Sequence, residues 1–275
     1  MTDIMTWKNY KDWVSELAKS KRNYYCRGHA DEKWKLQTTF HRETVRSAIT
    51  LPEYLNTIIP EVHFHISAVL NEIIDLSKKE EFGAFLALIQ HHGFPTPLLD
   101  WTLSPYIAAY FAFKEVNDQY PVSDYVKIYL FDYVEWTRSY EQPLDLRDMN
   151  IKYVSIVRPY ARFNPRIVPQ QSAFTVTNVD DMELHILSLS TSAKKTFLYT
   201  ARISVKEKPH IFRELNLMGI NEMTLFPGIG GICRALKSQF FSVDTVGPTL
   251  KEMLEVINKT VPKRGLPPAP TKKYT

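Results

Sequence analysis

The sequence predicts an α+β, or mixed α/β, single domain in which helices flank a mixed, partly antiparallel sheet. A chain of 275 residues is long enough to bury a sizeable core. Apolar residues recur at helical spacing in some segments. Other short segments are rich in β-branched and aromatic residues, as is typical of strands. Because the two patterns alternate along the chain, helices and strands are expected to pack together.

The predicted helices follow from apolar periodicity and from capping residues. The first is amphipathic and begins after Thr6, a suitable N-cap, with Trp7, Tyr10, Trp13 and Leu17 at helical spacing. Further helices are expected over residues 52–76 with an interruption at Pro60, over 82–90, from 105 to about 116, over 211–218 and over 232–238. Strands are expected over residues 24–28, 126–131, 154–157 and 197–205 and around 174–176.

Composition places few limits on function. The formal net charge is +4, and acids and bases are mixed along the chain, so the charge alone does not indicate nucleic-acid binding. The two cysteines, Cys26 and Cys233, lie too far apart in sequence to form a metal-spaced pair, and we expect no metal site. Neither a signal peptide nor a membrane-spanning segment is expected, so we predict a cytoplasmic protein with no membrane partner.

Residues 89–113 hold the densest group of chemically capable side chains. Asp100, Trp101 and Thr102 are followed by Ser104 and Pro105, which suit the N-cap and first position of a helix. Amides at a helix N-terminus carry partial positive charge and bind phosphate or carboxylate groups. This junction is therefore expected to form the floor of a ligand site.

Structural explanations compete with this functional one. Asp100 could cap a turn, and Trp101 could belong to the core. Adjacent histidines cannot share a helix face, so His91 and His92 make poor metal ligands, and we expect one to be structural and one functional. A histidine near a carboxylate would suit proton transfer at neutral pH.

Two further motifs carry polar groups that could bind a ligand. Arg27 lies at the end of a predicted strand beside Gly28, where it could bind a phosphate or carboxylate, or form an ion pair with Asp100 inside the fold. Gln170 and Gln171 precede a predicted strand. Their amides could recognise a base, an amide or a ribose, or could hold loop backbone in place.

Together these stretches resemble the FRG domain family over roughly residues 20–235. The resemblance rests on the following residues: Arg27-Gly28, Gln90-His91-His92-Gly93, Leu98-Leu99-Asp100-Trp101-Thr102, Ser104-Pro105, Arg166, Gln170-Gln171 and Phe174. Two positions depart from the family pattern: Cys26 replaces an aromatic residue before Arg27, and Pro97 stands where the family tends to carry an arginine. We therefore divide the chain into an N-terminal helix over 1–19, an FRG-like domain over 20–260 and a basic, proline-rich tail over 261–275.

The family itself indicates little about activity, but the arrangement of these residues is similar, by analogy, to the layout of ADP-ribosyltransferases. By this analogy Arg27 would hold a pyrophosphate, Trp101 or Tyr110 would contact a nicotinamide, and Gln170 or Gln171 would replace the usual glutamate. Since glutamine cannot act as a base, Asp100 or His92 would have to do so. Family members occur among mobile elements and presumed toxin or defence genes, which implies a toxin or an anti-phage effector.

The sequence thus favours a nucleotide-binding enzyme that uses NAD for ADP-ribosyl transfer or cleaves NAD. The predicted catalytic residues are Arg27, His92, Asp100, Gln170 and Gln171. The predicted ligand contacts are Arg27, Gly28, Trp101, Thr102, Ser104 and Tyr110. Hydrolysis of a nucleic acid or another phosphoester is one alternative. The other is a non-enzymatic module that senses a ligand or binds a protein or nucleic-acid target.

Overall fold

The fold was analysed in a computed structural model that describes residues 2–19, 23–70, 72–117, 119–144, 146, 150–159 and 164–241. Its strands are β1 Thr2–Ile4, β2 Tyr25–His29, β3 Leu98–Thr102, β4 Tyr125–Phe131, β5 Val154–Val157, β6 Ser172–Thr177 and β7 Leu198–Ser204. Within the described residues they form one seven-stranded sheet in the order β1-β7-β4-β2-β3-β6-β5. Strand β1 runs parallel to β7, and the other neighbours are antiparallel, which confirms the predicted mixed sheet.

Helices cover both faces of this sheet. They are α1 Trp7–Lys19, α2 Thr39–Ser47, α3 Leu51–Glu53, α4 Ile59–Ser67, α5 Lys79–His91, α6 Pro105–Lys114, α7 Tyr133–Ser139, α8 Met182–Ala193, α9 Lys208–Leu217, α10 Glu222–Leu225 and α11 Ile229–Phe241. A π-helical turn, Tyr54–Ile58, joins α3 to α4, and a 3-10 turn, Val205–Glu207, precedes α9. No helix among the described residues is long and apolar enough to cross a bilayer.

The alternation of side chains along the strands divides the core. On one face, α1, α6 and α9 pack on β4 and β7 through residues such as Ile128 and Ala201. Helices α2 and α5 pack on β3 and β6 of the same face, where Leu98 is buried. The opposite face buries Leu99 and Tyr129 against α7 and α8. The result is a sheet between two helical layers.

Several predicted boundaries need correction. The helix expected over 52–76 ends at Ser67. Ile74 lies in the loop that follows, where its side chain is buried and its carbonyl oxygen is 2.9 Å from the His63 Nε2. The π-helical turn ends at Ile58, two residues before the expected interruption at Pro60, and Pro60 itself lies in the first turn of α4. Strand β2 continues one residue beyond Gly28. The predicted tail over 261–275 lies outside the described residues.

The sheet is divided near its middle. Strands β2 and β3 share one register pair in the described structure, Cys26 opposite Thr102, whereas β2 pairs with β4 at five positions and β3 with β6 at five. Beyond that single pair the two strands diverge. The divergence opens a gap between the β1-β7-β4-β2 half and the β3-β6-β5 half of the sheet.

Candidate functional site

A cavity of about 860 Å³ occupies the gap between the two halves of the sheet. From the strands it is lined by Arg27, Gly28 and His29 of β2 and by Asp100, Trp101 and Thr102 of β3. Small-molecule sites in proteins commonly measure roughly 300–1,000 Å³, so this cavity can accept a ligand as large as a nucleotide.

Gly28 allows α6 to pack directly on the strand beside the cavity. A Cβ atom at this position would lie 2.0 Å from the Ala108 carbonyl oxygen and 2.7 Å from the Ala112 Cβ. Glycine is therefore needed at this position because the helix backbone approaches so closely. Close approach of another backbone was one of the two roles that a glycine at a strand end suggests. Cys26, the residue before Arg27, faces the same helix and is buried in that core.

Arg27 crosses the gap. Its Nη1 donates to the backbone carbonyl oxygen of Asp100 at 2.6 Å, and its Nε donates to the His29 Nε2 at 3.0 Å. These contacts use two of the N–H groups of the guanidinium, and its other donors form no hydrogen bond with the residues that the structure describes, so they can bind a ligand. The side chain thus bridges two strands that no longer pair through their backbones.

His29 fixes the orientation of Arg27. Burial and then the charge of Arg27 lower the pKa of His29 from 6.5 to about 3, so the imidazole is neutral at physiological pH. Because Nε2 accepts from Arg27, the proton resides on Nδ1, which lies 3.2 Å from the Trp34 carbonyl oxygen and donates to it. The arginine is thereby connected through the imidazole to the backbone at Trp34.

The Asp100 carboxylate faces the cavity, while its neighbours Leu99 and Trp101 are buried on the other side of the strand. Its side chain is open to solvent through the cavity but is otherwise surrounded by protein. This burial raises the pKa of Asp100 above its ordinary value, against the opposing effects of Arg27 and of a hydrogen bond from Gln90. Gln90 is oriented for this role because its carbonyl oxygen accepts from the Thr96 hydroxyl.

Cations outnumber acids along the cavity wall. Arg42 and Arg166 line it together with Arg27, and the acids in the lining are Asp100 and Glu115. The Arg42 Nη1 donates to the Gln37 carbonyl oxygen at 2.8 Å, and the Arg166 guanidinium lies 5.3 Å from the ring centre of Phe226. An excess of arginine in a partly enclosed space favours an anionic ligand such as a phosphate.

Six predicted site residues line the cavity: Arg27, Gly28, Asp100, Trp101, Thr102 and Gln170. Two of these mainly support its walls. Trp101 is 3% exposed and donates from its indole Nε1 to the Thr175 hydroxyl at 2.9 Å. Gln170 accepts from the Thr102 hydroxyl at its backbone carbonyl and donates from its side-chain amide to the Leu225 carbonyl oxygen.

Four other predicted site residues lie outside the described lining. His92 is exposed at the C-cap of α5, and Gln171 is exposed with a φ of 48°. Ser104 caps α6 by accepting from the Ile107 N–H at 3.3 Å. Tyr110 is buried and donates to Glu222 at 2.7 Å. The start of α6 therefore packs within the fold instead of opening to the cavity.

Several lining residues were not among the sequence-based candidates. His29, Trp34 and Arg42 follow the first motif, and His91, rather than His92, reaches the cavity. Burial and then the charge of Arg166 lower the pKa of His91. For His29, Trp34 and Arg42 the only sequence signal was their proximity to Arg27, whereas His91 belongs to the histidine pair of which one member was expected to be functional.

No group of three or more His, Cys, Asp or Glu side chains among the described residues is arranged to hold a metal ion. Cys26 is buried, Cys233 is exposed, and both are free thiols.

Comparison with known proteins gives one family. Neither the curated proteins nor the solved structures yield a match. A family model described as the FRG domain matches residues 22–120. This range contains Arg27, His29, Arg42 and Asp100, whereas Arg166 lies beyond it. Residues 22–120 of this chain therefore match the FRG domain model, which supports the resemblance over that range.

Proposed function

We propose that the protein binds NAD in the cavity and cleaves the bond between nicotinamide and ribose, passing ADP-ribose to an acceptor or to water. The observation that carries this proposal is the Asp100 carboxylate, which faces the cavity between the two halves of the sheet, where Arg27 donates to the Asp100 backbone across the gap. A carboxylate among arginines suits a substrate that carries both negative phosphates and a positive reacting group.

The arginines supply the binding energy for the diphosphate. Arg27 is held in place by His29 and by the β3 backbone, so little side-chain entropy is lost when its remaining donors bind phosphate oxygens. Arg42 and Arg166 line the same cavity and bring further positive charge. The aromatic rings of Phe111 and Phe226 in the lining provide apolar surface within the cavity.

The reaction requires one carboxylate near the ribose. The nicotinamide of NAD is a pyridinium, so it leaves as a neutral molecule with the electron pair of the breaking C–N bond, and no general acid is needed. Ordinary glycoside hydrolysis uses a second carboxyl group for that step. In the proposed reaction the Asp100 carboxylate stabilises positive charge that develops on the ribose and accepts a proton from the attacking water or hydroxyl group.

This role fixes the direction of the pH dependence. Asp100 acts in its ionised form, and its pKa is raised by burial. As the pH is lowered, activity should therefore be lost at a higher pH than it would be with an aspartate of ordinary pKa. The orientation of the carboxylate by Gln90 is part of the same arrangement.

The test is release of nicotinamide from NAD, followed by chromatography, with the wild-type chain, Asp100→Asn and Asp12→Asn. Asp12 is an exposed aspartate of α1, away from the cavity lining, and serves as the matched control. The wild type and the control should release nicotinamide at similar rates, and Asp100→Asn should be slower by about a hundredfold or more. Unchanged release by Asp100→Asn, or none by the wild type, would contradict the proposal.

One observation favours a second candidate, a ligand-sensing module without catalysis. Arg27 donates to the backbone of β3 and so holds the two halves of the sheet together. In that case Arg27→Ala would unfold the chain, and NAD would raise its melting temperature without being consumed. An enzyme that depletes NAD or transfers its ADP-ribose would instead suit a toxin or an anti-phage effector, the setting that the family resemblance implies.

A further inference from the structure

An exposed tryptophan stands at the mouth of the cavity. Trp34 is 50% exposed and lines the opening together with Lys33 and Arg42, both of which are also exposed. A large, half-exposed aromatic side chain beside a cavity offers a flat apolar surface on which the ring of a ligand can stack.

The backbone of Trp34 is held in place by contacts with neighbouring residues. The Trp34 carbonyl oxygen accepts from the His29 Nδ1 at 3.2 Å and lies 3.0 Å from the Tyr129 hydroxyl, and its N–H donates to the Asp31 carbonyl oxygen at 3.1 Å. The Trp34 ring packs edge-on against the His29 ring, with 6.2 Å between their centres. The ring is therefore anchored on a rigid turn before any ligand binds, which lowers the entropy cost of stacking.

The same contacts place the ring next to the arginines. His29, which touches the Trp34 ring, also accepts from the Arg27 Nε. Arg42 lines the same cavity as Arg27, His29 and Asp100, and its charge acts on all three. An aromatic face thus adjoins a group of cations, which is the arrangement that binds a nucleobase joined to a phosphate.

We propose that Trp34 and Arg42 form the subsite for the adenylate half of the dinucleotide, with the adenine stacked on the indole and the phosphate on Arg42 and Arg27. This inference rests on the proposed function for the identity of the ligand. It also sets the orientation of the bound dinucleotide. The adenosine lies at the mouth of the cavity, and the nicotinamide riboside lies deeper, beside Asp100.

The experiment is calorimetric titration of the full chain with AMP and with ribose 5-phosphate, which lacks the base. Trp34→Ala should bind AMP about tenfold to a hundredfold more weakly than the wild type and should bind ribose 5-phosphate equally well. Trp34→Phe keeps an aromatic face and should recover part of the AMP affinity. Phe64→Ala removes another exposed aromatic ring, 69% exposed on α4 and outside the cavity lining, and should bind AMP as the wild type does.

Equal AMP affinity in the wild type and Trp34→Ala, or no AMP binding by the wild type, would overturn the subsite. A single-stranded oligoadenylate that binds far more tightly than AMP, and loses that affinity in Trp34→Ala, would also overturn it by assigning the ring to a nucleic-acid strand. These titrations need no turnover. Trp34-dependent AMP binding without nicotinamide release would support the subsite and refute the proposed reaction. Nicotinamide release without Trp34-dependent AMP binding would support the reaction and refute the subsite.

Discussion

Replacement of Gly28 by alanine should destabilise the fold because α6 would have to move away from β2. The added Cβ would lie 2.0 Å from the Ala108 carbonyl oxygen, and even a tight contact requires 3.0 Å. The helix would therefore have to shift by about 1 Å, as the difference between these two distances indicates. Ala108 and Ala112 are fully buried in the core, so such a shift would also open voids around them.

The expected cost is at the upper end for overpacking, about 3 kcal/mol, because the clash involves helix backbone that cannot rotate away. For a domain of this size that corresponds to a fall of roughly 6–12 °C in melting temperature. Thermal denaturation followed by circular dichroism measures this shift, and chemical denaturation measures the free energy of unfolding.

Gly83→Ala provides the matched control. Gly83 lies within α5, and a Cβ there would meet Val157 at 3.5 Å, an ordinary contact. Alanine should therefore stabilise the helix by roughly 0.5–1 kcal/mol. The reasoning would be refuted if Gly28→Ala melted within two or so degrees of the wild type, or if the two variants shifted the melting temperature equally.

Two further substitutions test the energetics of the site. Burial raises the folded-state pKa of Asp100, so its protonated form stabilises the fold below about pH 3.9, and this contribution is lost as the pH rises through the folded-state pKa. Asp100→Asn should thus melt no lower than the wild type at pH 7, and a fall of several degrees there would show that the carboxylate supports the fold. Tyr110→Phe removes a hydrogen bond to Glu222, which keeps its ion pairs with Lys114 and Arg234, and should lower the free energy of unfolding by about 1.5 kcal/mol. Denaturant titration measures this change, and a loss of less than about 0.5 kcal/mol would mean that water replaces the hydroxyl.

Local sequence patterns predicted much of the secondary structure. Ser104 and Pro105 mark the start of α6, and Ser104 forms the expected cap. The β-branched and aromatic run over residues 126–131 forms β4, where most positions are buried. These features depend on neighbours along the chain, so the sequence contains the information directly.

Longer-range features could not be predicted in this way. The helix α8, Met182–Ala193, was not expected because serine and threonine interrupt its apolar pattern. The partners of Gly28 and Arg27 were uncertain for a different reason. A glycine that allows close approach does not say whether a ligand or a helix approaches, and the structure shows that it is α6.

Which residues line the cavity depends on where β2 diverges from β3. Arg27 and Asp100 were expected to form either a ligand site or an internal ion pair, and Arg27 in fact donates to the Asp100 backbone while both side chains line the cavity. Arg42 and Trp34 join them because the chain after β2 folds back over the gap. No local pattern specifies where two paired strands separate, since α5 and α6, which lie far from β2 in the chain and pack in different core clusters, contribute to this region through tertiary contacts.

A crystal structure of Asp100→Asn soaked with NAD tests the central claim most directly, because the substitution should leave the substrate intact. The account predicts a dinucleotide in the gap between β2 and β3, with its diphosphate on Arg27 and Arg42 and its nicotinamide riboside beside residue 100. An empty gap at saturating NAD, or a dinucleotide bound elsewhere on the protein, would contradict the account.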